Sequence, residues 1–160
     1  MQKITPCLWF DDNAEEAVNL YMSIFKNSKI NSVTRYGSAG PGEPGKVMII
    51  NFEIEGLTLT ALNGGPHFKF TEAISLEVGC ASQEEVDDLW DKLIADGGEP
   101  SQCGWLKDKF GLSWQIVPSA MMEIMQGPDP AGAQRAMTAM LKMSKLDLAE
   151  LRRAYEQEPA

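Results

Sequence analysis

Two stretches of the chain repeat one pattern of apolar and polar positions. The first is ITPCLWFDDNAEEAVNLYMSIF at residues 4–25, and the second is AISLEVGCASQEEVDDLWDKLI at residues 73–94. In each stretch, alternating apolar residues predict a short strand, and apolar residues three and four apart then predict an amphipathic helix. A second match follows, because GLTLTAL at 56–62 resembles GLSWQIV at 111–117. The pattern therefore predicts two copies of one supersecondary unit, and hence two half-domains.

The boundaries of the predicted elements follow from these periods and from the turn residues between them. The first copy is predicted to contain a helix at 14–25 and strands at 4–10, 29–36, 47–54 and 57–63. The second is predicted to contain a helix from Ser82 to about 95 and strands at 73–78, near 101, at 105–109 and at 112–117. Asp11-Asp12-Asn13 offers a cap for the first helix, and Ser82 with Glu85 forms a capping box for the second.

The predicted fold class is α+β, with tandem βαβββ units forming a cupped mixed sheet and a helical C-terminal tail. One domain at 1–118 contains two halves, at about 1–66 and 67–118. Residues 119–160 form a Met-rich helical extension of that domain. Asp129-Pro130 and Asp147 with Glu150 predict helix starts there. The apolar stripe of these helices covers the domain's own sheet or docks on a second subunit.

Composition excludes several classes of partner. The 160 residues, 44% of them hydrophobic, suit one globular domain, and the net charge is −9. Nucleic acid and anionic membranes need a basic surface, so neither is expected to bind. No apolar run approaches the roughly 20 residues of a membrane span, and the first residues lack signal-peptide features. Three cysteines without CxxC spacing fit a reducing compartment, and a cytoplasmic location is expected.

Two segments carry a specific family resemblance. They are NGGPHFKF at 63–70 and WLKDKFGLSWQIVP at 105–118, and the repeated strand–helix segments and the Met-rich tail add to them. Together they resemble the vicinal oxygen chelate superfamily, the glyoxalase and bleomycin-resistance fold, and in particular its PhnB-like branch. Members of that branch are often described as demethylubiquinone methyltransferases. The sequence does not support that activity, because it lacks the glycine-rich strand-to-helix turn that a methyl-donor nucleotide would need.

The resemblance also implies where a metal would be bound. In glyoxalase-type members, each unit supplies one metal ligand from its first strand and one from its last. Those positions fall on Thr5 and Thr60 in the first unit, and on Ala73 and Gln115 in the second, with Thr5 aligned to Ala73. A divalent catalytic metal prefers imidazole or carboxylate, and only Gln115 could serve as a weak oxygen ligand. The chain has one histidine, His67, so we expect neither the family's metal nor another cofactor.

Alternation along the strands predicts which side chains line a cup between the halves. These residues are Thr5, Cys7, Trp9, Thr58, Thr60, Ser75, Glu77, Ser113 and Gln115, with Phe68 and Phe70 forming an apolar wall. The set combines aromatic rings, hydroxyls, one amide and one carboxylate, which suits a small organic ligand.

Most of these residues also have an ordinary structural reading. Cys7 is a small buried residue or a nucleophile, and no histidine is placed to activate it. Glu77 is a general base if it is buried, or a solvated strand residue otherwise. His67 is a lone base or ligand, or a loop residue at the rim of the pocket. Lys107 and Lys109 hold an acidic ligand group or belong to a solvated hairpin.

Three hypotheses follow for function. The first is a protein that binds a small molecule without transforming it and lacks the divalent metal. The second is a lyase, isomerase or transferase-type enzyme of the same superfamily that uses Glu77 as base or an atypical metal site. The third is an assembly role for the Met-rich tail. A homodimer is expected, because open sheet edges and an apolar stripe would otherwise stay exposed.

Overall fold

The computed structural model describes residues 2–157, which form two compact units divided between Phe70 and Thr71. Each unit contains a strand, a helix and three further strands. The first comprises β1 (Cys7–Phe10), α1 (Ala14–Ile24), β2 (Ser28–Arg35), β3 (Val47–Ile54) and β4 (Leu57–Asn63). The second comprises β5 (Ser75–Cys80), α2 (Gln83–Ile94), β6 (Glu99–Pro100), β7 (Trp105–Lys107) and β8 (Ser113–Pro118), with one 3-10 turn at Ala95–Gly97.

Both units have the same sheet topology. The strand order is β1-β4-β3-β2 in the first and β5-β8-β7-β6 in the second. The first and last strands of each unit pair in parallel, and the other pairs are antiparallel. The predicted α+β class with tandem βαβββ units is therefore confirmed, with one four-stranded mixed sheet in each unit. A loop at 36–46 connects β2 to β3.

Alternation along the strands determines which side of each sheet is covered by a helix. In the first unit, α1 packs on β3 and β4, where Phe52, Leu59 and Ala61 are fully buried. In the second, α2 packs on β7 and β8, where Leu106 and Ile116 are buried. The residues between them in sequence point to the opposite side of the sheet. We call that side the open face of each unit.

The two helices are capped in different ways. Ser82 Oγ accepts the Glu85 N–H at 3.2 Å, and the Glu85 carboxylate accepts the Ala81 N–H at 2.7 Å, so the predicted capping box is confirmed. Asn13 occupies the N-cap of α1 but makes no capping hydrogen bond with its side chain. Asn63 Oδ1 at the end of β4 instead accepts the Ala14 N–H at 2.9 Å. The first helix is therefore capped by a residue distant in sequence, which a local pattern does not predict.

Strand pairing corrects the register of the repeat by two residues. Cys7 pairs with Thr60 in the first unit, whereas Glu77 pairs with Gln115 in the second. Since Thr60 and Gln115 occupy the same place after the hairpin turn, Cys7 corresponds to Glu77. By the same shift, Thr5 corresponds to Ser75 and not to Ala73. The shift is even, so each residue keeps its predicted face.

The C-terminal segment forms α3 (Ala120–Met125), α4 (Pro130–Met140) and α5 (Leu148–Glu156). Asp129 and Asp147 cap α4 and α5 as the sequence predicts. The segment before α5 packs against the sheet of the second unit, to which it belongs. The N–H groups of Cys103 and Gly104 donate to the carbonyls of Met143 and Ser144, each at 2.8 Å, and Leu146 is fully buried.

Candidate functional site

The open face of the first unit combines small polar side chains with an indole ring. Cys7, Trp9, Thr58 and Thr60 lie on this face, because the residues between them in β1 and β4 are buried on the helix side. Cys7 is opposite Thr60, which is in turn opposite Asn51 on β3. Thr5, predicted to line the same face, precedes β1 and is exposed.

An aromatic cluster surrounds the NGGP turn that follows β4. The Trp9 indole N–H donates to the Gly65 carbonyl at 2.9 Å. Gly64 must lack a side chain, because a Cβ there would overlap the Trp9 ring. The Phe68 ring meets Trp9 edge to face at 4.9 Å between centroids and remains 66% exposed. Trp9 and Phe68 therefore present an accessible aromatic surface.

Phe70 lies apart from this cluster. Its ring centroid is 5.3 Å from that of Phe10, a buried residue on the helix side of β1. Phe68 and Phe70 thus contact opposite sides of β1, although the sequence pattern suggests that they form one wall. His67, between them, is exposed in the turn.

The open face of the second unit is polar along two neighbouring rows. In one row, Ser113 on β8 lies between Ser75 on β5 and Lys107 on β7. In the next, Gln115 lies between Glu77 and Trp105. The rows are joined by a hydrogen bond from the Gln115 amide to Ser75 Oγ at 3.0 Å.

Ser113 and Lys107 have contrasting environments within their row. Ser113 is 1% exposed, and its Oγ has no hydrogen-bond partner among residues 2–157. Lys107 forms an ion pair with Glu72, an exposed carboxylate in the segment before β5. Their hydrogen bond and charge attraction lower the pKa of Glu72 and raise the pKa of Lys107. Glu77 is exposed, so its carboxylate is in contact with water.

The residues that the sequence assigns to the family's ligand positions do not fit a divalent metal. Thr60 and Gln115 lie on the open faces, whereas Thr5 and Ala73 precede their strands. Three of the four lack an imidazole, carboxylate or amide. Residues 2–157 contain no group of three or more His, Cys, Asp and Glu side chains arranged to hold a metal ion. Strand pairing adds the Cys7 thiol beside Thr60 and the Glu77 carboxylate beside Gln115, which does not complete a ligand set in either unit.

The cysteines are free thiols in different surroundings. Burial, with a smaller contribution from the Glu85 charge, raises the pKa of the Cys80 thiol to about 11. Partial burial also raises the pKa of Cys7, on the open face of the first unit. A thiol with a raised pKa is a poor nucleophile near neutral pH, so the structure favours the non-catalytic reading of Cys7.

Asp108 supports the open face of the second unit from within the β7–β8 turn. It is 2% exposed, and its Oδ1 accepts the N–H groups of Phe110 and Leu112, at 2.9 and 3.1 Å. Its Oδ2 accepts the Trp114 indole N–H at 3.0 Å. In the sequence, this segment carries the family resemblance, and no structural role is predicted for Asp108. An Asp three residues before a turn glycine was the available signal.

Comparison with known proteins identifies the family. A model of the family described as 3-demethylubiquinone-9 3-methyltransferase matches residues 2–117. The chain belongs to this family. It is the PhnB-like branch of the vicinal oxygen chelate superfamily, so the expected resemblance is confirmed. The match ends at Val117, before α3, so the C-terminal helices lie outside the matched residues.

Solved structures extend the comparison. A PhnB protein from Bacillus cereus, provisionally described as a 3-demethylubiquinone-9 3-methyltransferase, is 38% identical, with a TM-score of 0.66. The match covers 73% of this chain and 99% of that one. A protein from Pseudomonas aeruginosa is 20% identical, with a TM-score of 0.60, over 74% of this chain and 98% of that one.

A more distant similarity shows the fold alone. The fosfomycin resistance protein FosX from Listeria monocytogenes is 18% identical, with a TM-score of 0.53, over 76% of this chain and 94% of that one. A search of curated proteins finds no match to this family member. None of its helices within residues 2–157 is long and apolar enough to cross a membrane.

Proposed function

We propose that this PhnB-like protein binds a small organic molecule on the open faces of its sheets, without the divalent metal of glyoxalase-type relatives. The observation that carries the proposal is the side-chain composition of those faces. They present accessible aromatic rings at Trp9 and Phe68, and hydroxyl and amide groups at Thr60, Ser75 and Gln115. A few polar groups beside aromatic surface are typical of small-molecule sites.

The donor chemistry supports the metal-free part of the proposal. Thr5 and Thr60 offer only hydroxyl oxygens, Ala73 offers no side-chain ligand, and Gln115 offers a single neutral amide oxygen. Metal analysis of the purified protein tests this directly. We expect substoichiometric zinc, manganese, nickel and iron after dialysis against each ion, and stoichiometric binding of any of them would contradict the proposal.

Methyl transfer, the activity in the family description, is the main competing function. The turns before α1 and α2 are Asp11-Asp12-Asn13 and Ala81-Ser82, and neither contains the glycines that bring a backbone close to a nucleotide. Binding of S-adenosylmethionine is therefore not expected. Isothermal titration at millimolar ligand decides between the two functions, because saturable binding of the methyl donor would favour transfer chemistry.

A ligand screen tests binding itself. We expect compounds that pair an aromatic ring with a polar group to raise the melting temperature, since a ligand that binds only the folded state stabilises it. Trp9→Ala should abolish this rise if the ring contacts the ligand, whereas Leu141→Ala, at an exposed tail position, should leave it unchanged. Absence of any rise across the screen, with no small molecule in the mass spectrum of the purified protein, would contradict the proposal.

Catalysis by Glu77 receives less support from the geometry. The carboxylate is exposed, and an exposed site does not exclude the water that competes with proton transfer from a substrate. If a reaction is nevertheless found, Glu77→Gln should lower kcat by at least a hundredfold, since general bases contribute factors of about 10²–10⁴.

We also propose that two copies form a homodimer in the cytoplasm. β2 is an edge strand that is exposed from Lys29 to Arg35, and Ile30 and Val33 are 42% and 45% exposed. Pairing with the same strand of a second copy would cover this edge and both apolar side chains. Sizing chromatography with light scattering should show a dimer that Ile30→Lys with Val33→Lys converts to a monomer. A wild-type monomer at micromolar concentration would contradict this.

A further inference from the structure

The row Ser75–Ser113–Lys107 contains the one buried serine hydroxyl that the described residues leave unsatisfied. Ser113 Oγ is removed from water and has no hydrogen-bond partner within residues 2–157. Burying such a group without a partner destabilises the folded protein. A native structure retains such a cost where the group serves another purpose, and binding a ligand atom is one such purpose.

The neighbours of Ser113 determine which kind of ligand atom fits. Ser75 Oγ already accepts a hydrogen bond from Gln115, so its own proton is available to donate outward. Lys107 Nζ carries three donors and a positive charge. Neighbouring strands lie about 4.8 Å apart, so the two hydroxyls and the ammonium form a short line of donors across one face. Such a line matches an acceptor with several oxygens.

The ion pair with Glu72 shows that the Lys107 ammonium can bind a carboxylate. Its partner Glu72 is 61% exposed at the side chain and lies outside the strands. Exposed ion pairs contribute little to stability because water and salt screen the two charges, so a ligand oxyanion held also by two hydroxyls can displace Glu72. Glu72 then acts as a competitor for the same ammonium.

We propose that Ser75, Ser113 and Lys107 form an oxyanion subsite that binds the carboxylate or phosphate group of the small-molecule ligand. This inference rests on the proposed binding function and specifies its ligand class. The acidic Glu77 lies one row away, beside Gln115, so the anionic group is held at the Lys107 end of the face. The rest of the ligand extends towards Gln115 and Trp105, where it meets an amide and an indole.

The first unit provides an internal control, because its equivalent row has the opposite charge. Thr58 takes the place of Ser113, and Glu53 on β3 takes the place of Lys107. Glu53 is paired with Lys29 on β2 at 3.1 Å. An anion is therefore not expected to bind at Thr58.

Isothermal titration with four probes tests the subsite. Benzoate and phenyl phosphate carry the two candidate oxyanions, and benzamide and benzyl alcohol are neutral counterparts of similar size. We expect at least one anion to bind about tenfold more tightly than its neutral counterpart, with affinity falling as salt rises. Comparing the two anions identifies which oxyanion is preferred.

Substitutions assign the effect to residues. Lys107→Met and Ser113→Ala should each weaken anion binding about tenfold, and Glu72→Gln should strengthen it. Lys109→Met and Thr138→Ala, which removes an exposed hydroxyl on α4, are the matched controls and should leave it unchanged. Lys109 lies on the same turn with its ammonium 5.5 Å from the Phe110 ring centroid. Ser113→Ala should leave the melting temperature of the free protein unchanged or raised, because it removes an unsatisfied polar group.

The experimental outcomes distinguish failure of the oxyanion subsite from failure of the proposed small-molecule binding. Equal affinity for anionic and neutral probes, or equal losses in Ser113→Ala and Thr138→Ala, would overturn the oxyanion subsite and leave small-molecule binding intact. Failure of all four probes and of the wider ligand screen would overturn the binding function, and the subsite with it.

Discussion

The two units share a topology but differ in the chemistry of their open faces. In the first, the row next to the hairpin turn holds Thr58 and Glu53, and in the second it holds Ser113 and Lys107. The strands, their order and their pairing are the same. Topology therefore determines where a side chain lies, whereas the residue at that place determines what it can bind. Duplication leaves one copy free to change charge while the other keeps its own ion pair.

The hairpin turns of the two units also share a position but differ in their side chains. The β7–β8 turn is held by the buried Asp108, and the β3–β4 turn by Glu55, whose carboxylate accepts the Asn27 N–H at 3.4 Å near the surface. A small cavity of about 200 Å³ opens beside the latter turn, lined by Asn27, Ser28, Lys29, Glu53 and Gly56. The turn carboxylate therefore makes one long bond at the surface in the first unit, and three bonds from a buried position in the second.

Replacing the turn carboxylates should give the largest difference between the units. Asp108→Ala removes the buried carboxylate that accepts three hydrogen bonds and should lower the free energy of unfolding by about 3 kcal/mol or more. Glu55→Ala should cost about 0.5 kcal/mol, since its bond is long and exposed. Urea unfolding followed by tryptophan fluorescence measures both. Similar losses for the two variants would show that the turns are equivalent.

The C-terminal segment should stabilise the second unit through Leu146. Leu146→Ala should cost about 3 kcal/mol, because it leaves a cavity at a fully buried side chain. Hydrogen exchange should then accelerate at the Cys103 and Gly104 amides, which bond to this segment. Leu141→Ala, at a 59% exposed position, is the control and should change neither quantity. Unchanged exchange in Leu146→Ala would mean that the segment contributes little to the second unit.

Removing the helix caps should have a smaller effect. Asn63→Ala breaks bonds to the Ala14 N–H and to the Val47 carbonyl, and should cost about 2 kcal/mol. Ser82→Ala removes one bond of the capping box and should cost about 1 kcal/mol. Asn13→Ala, which removes no side-chain cap, should be near neutral. Thermal unfolding of the three variants ranks their losses of stability. A larger loss for Asn13→Ala than for Asn63→Ala would mean that Asn13, and not Asn63, caps α1.

The smallest effect concerns the thiols. Iodoacetamide at pH 9 should modify Cys7 before Cys80, because Cys80 is buried and its pKa is about 11. The folded state then retains a proton that the unfolded state releases. This retained proton stabilises the folded state relative to the unfolded state. The contribution is complete below the ordinary thiol pKa and is lost as pH rises towards the Cys80 pKa of about 11. Mass spectrometry of timed samples, with Cys7→Ser as control, gives the order of modification, and earlier labelling of Cys80 would contradict it.

The sequence pattern predicted the elements and their faces well, for a physical reason. Alternation and helical spacing report burial directly, so β3, β4, α1 and the open-face positions of Thr60 and Gln115 agree with the structure. The sequence could not predict that β1 starts at Cys7 or that β5 extends to Cys80, because strand ends depend on pairing. That error shifted the repeat by two residues.

Long-range contacts explain the other differences. The Asn63 cap, the contact of Phe70 with Phe10 and the burial of Ser113 all join residues whose proximity only the folded chain determines. Sequence patterns within one element carry no information about such pairs. The ligand-contacting roles of the open-face residues stay predictions, since neither the strand geometry nor the family similarity tests them.

The parallel pairing of first and last strands has a consequence for synthesis. β1 leaves the ribosome before its partner β4, which ends at Asn63, the residue that also caps α1. Until then the strand edge and the helix N-terminus have no partners in their own unit, and the nascent first unit is open to wrong pairings or chaperone binding. The second unit is completed later, because Leu146 must leave the ribosome before it can cover the surface of that unit at Gly104. A stalled chain ending near residue 118 would therefore display both sheets but an unfinished second unit.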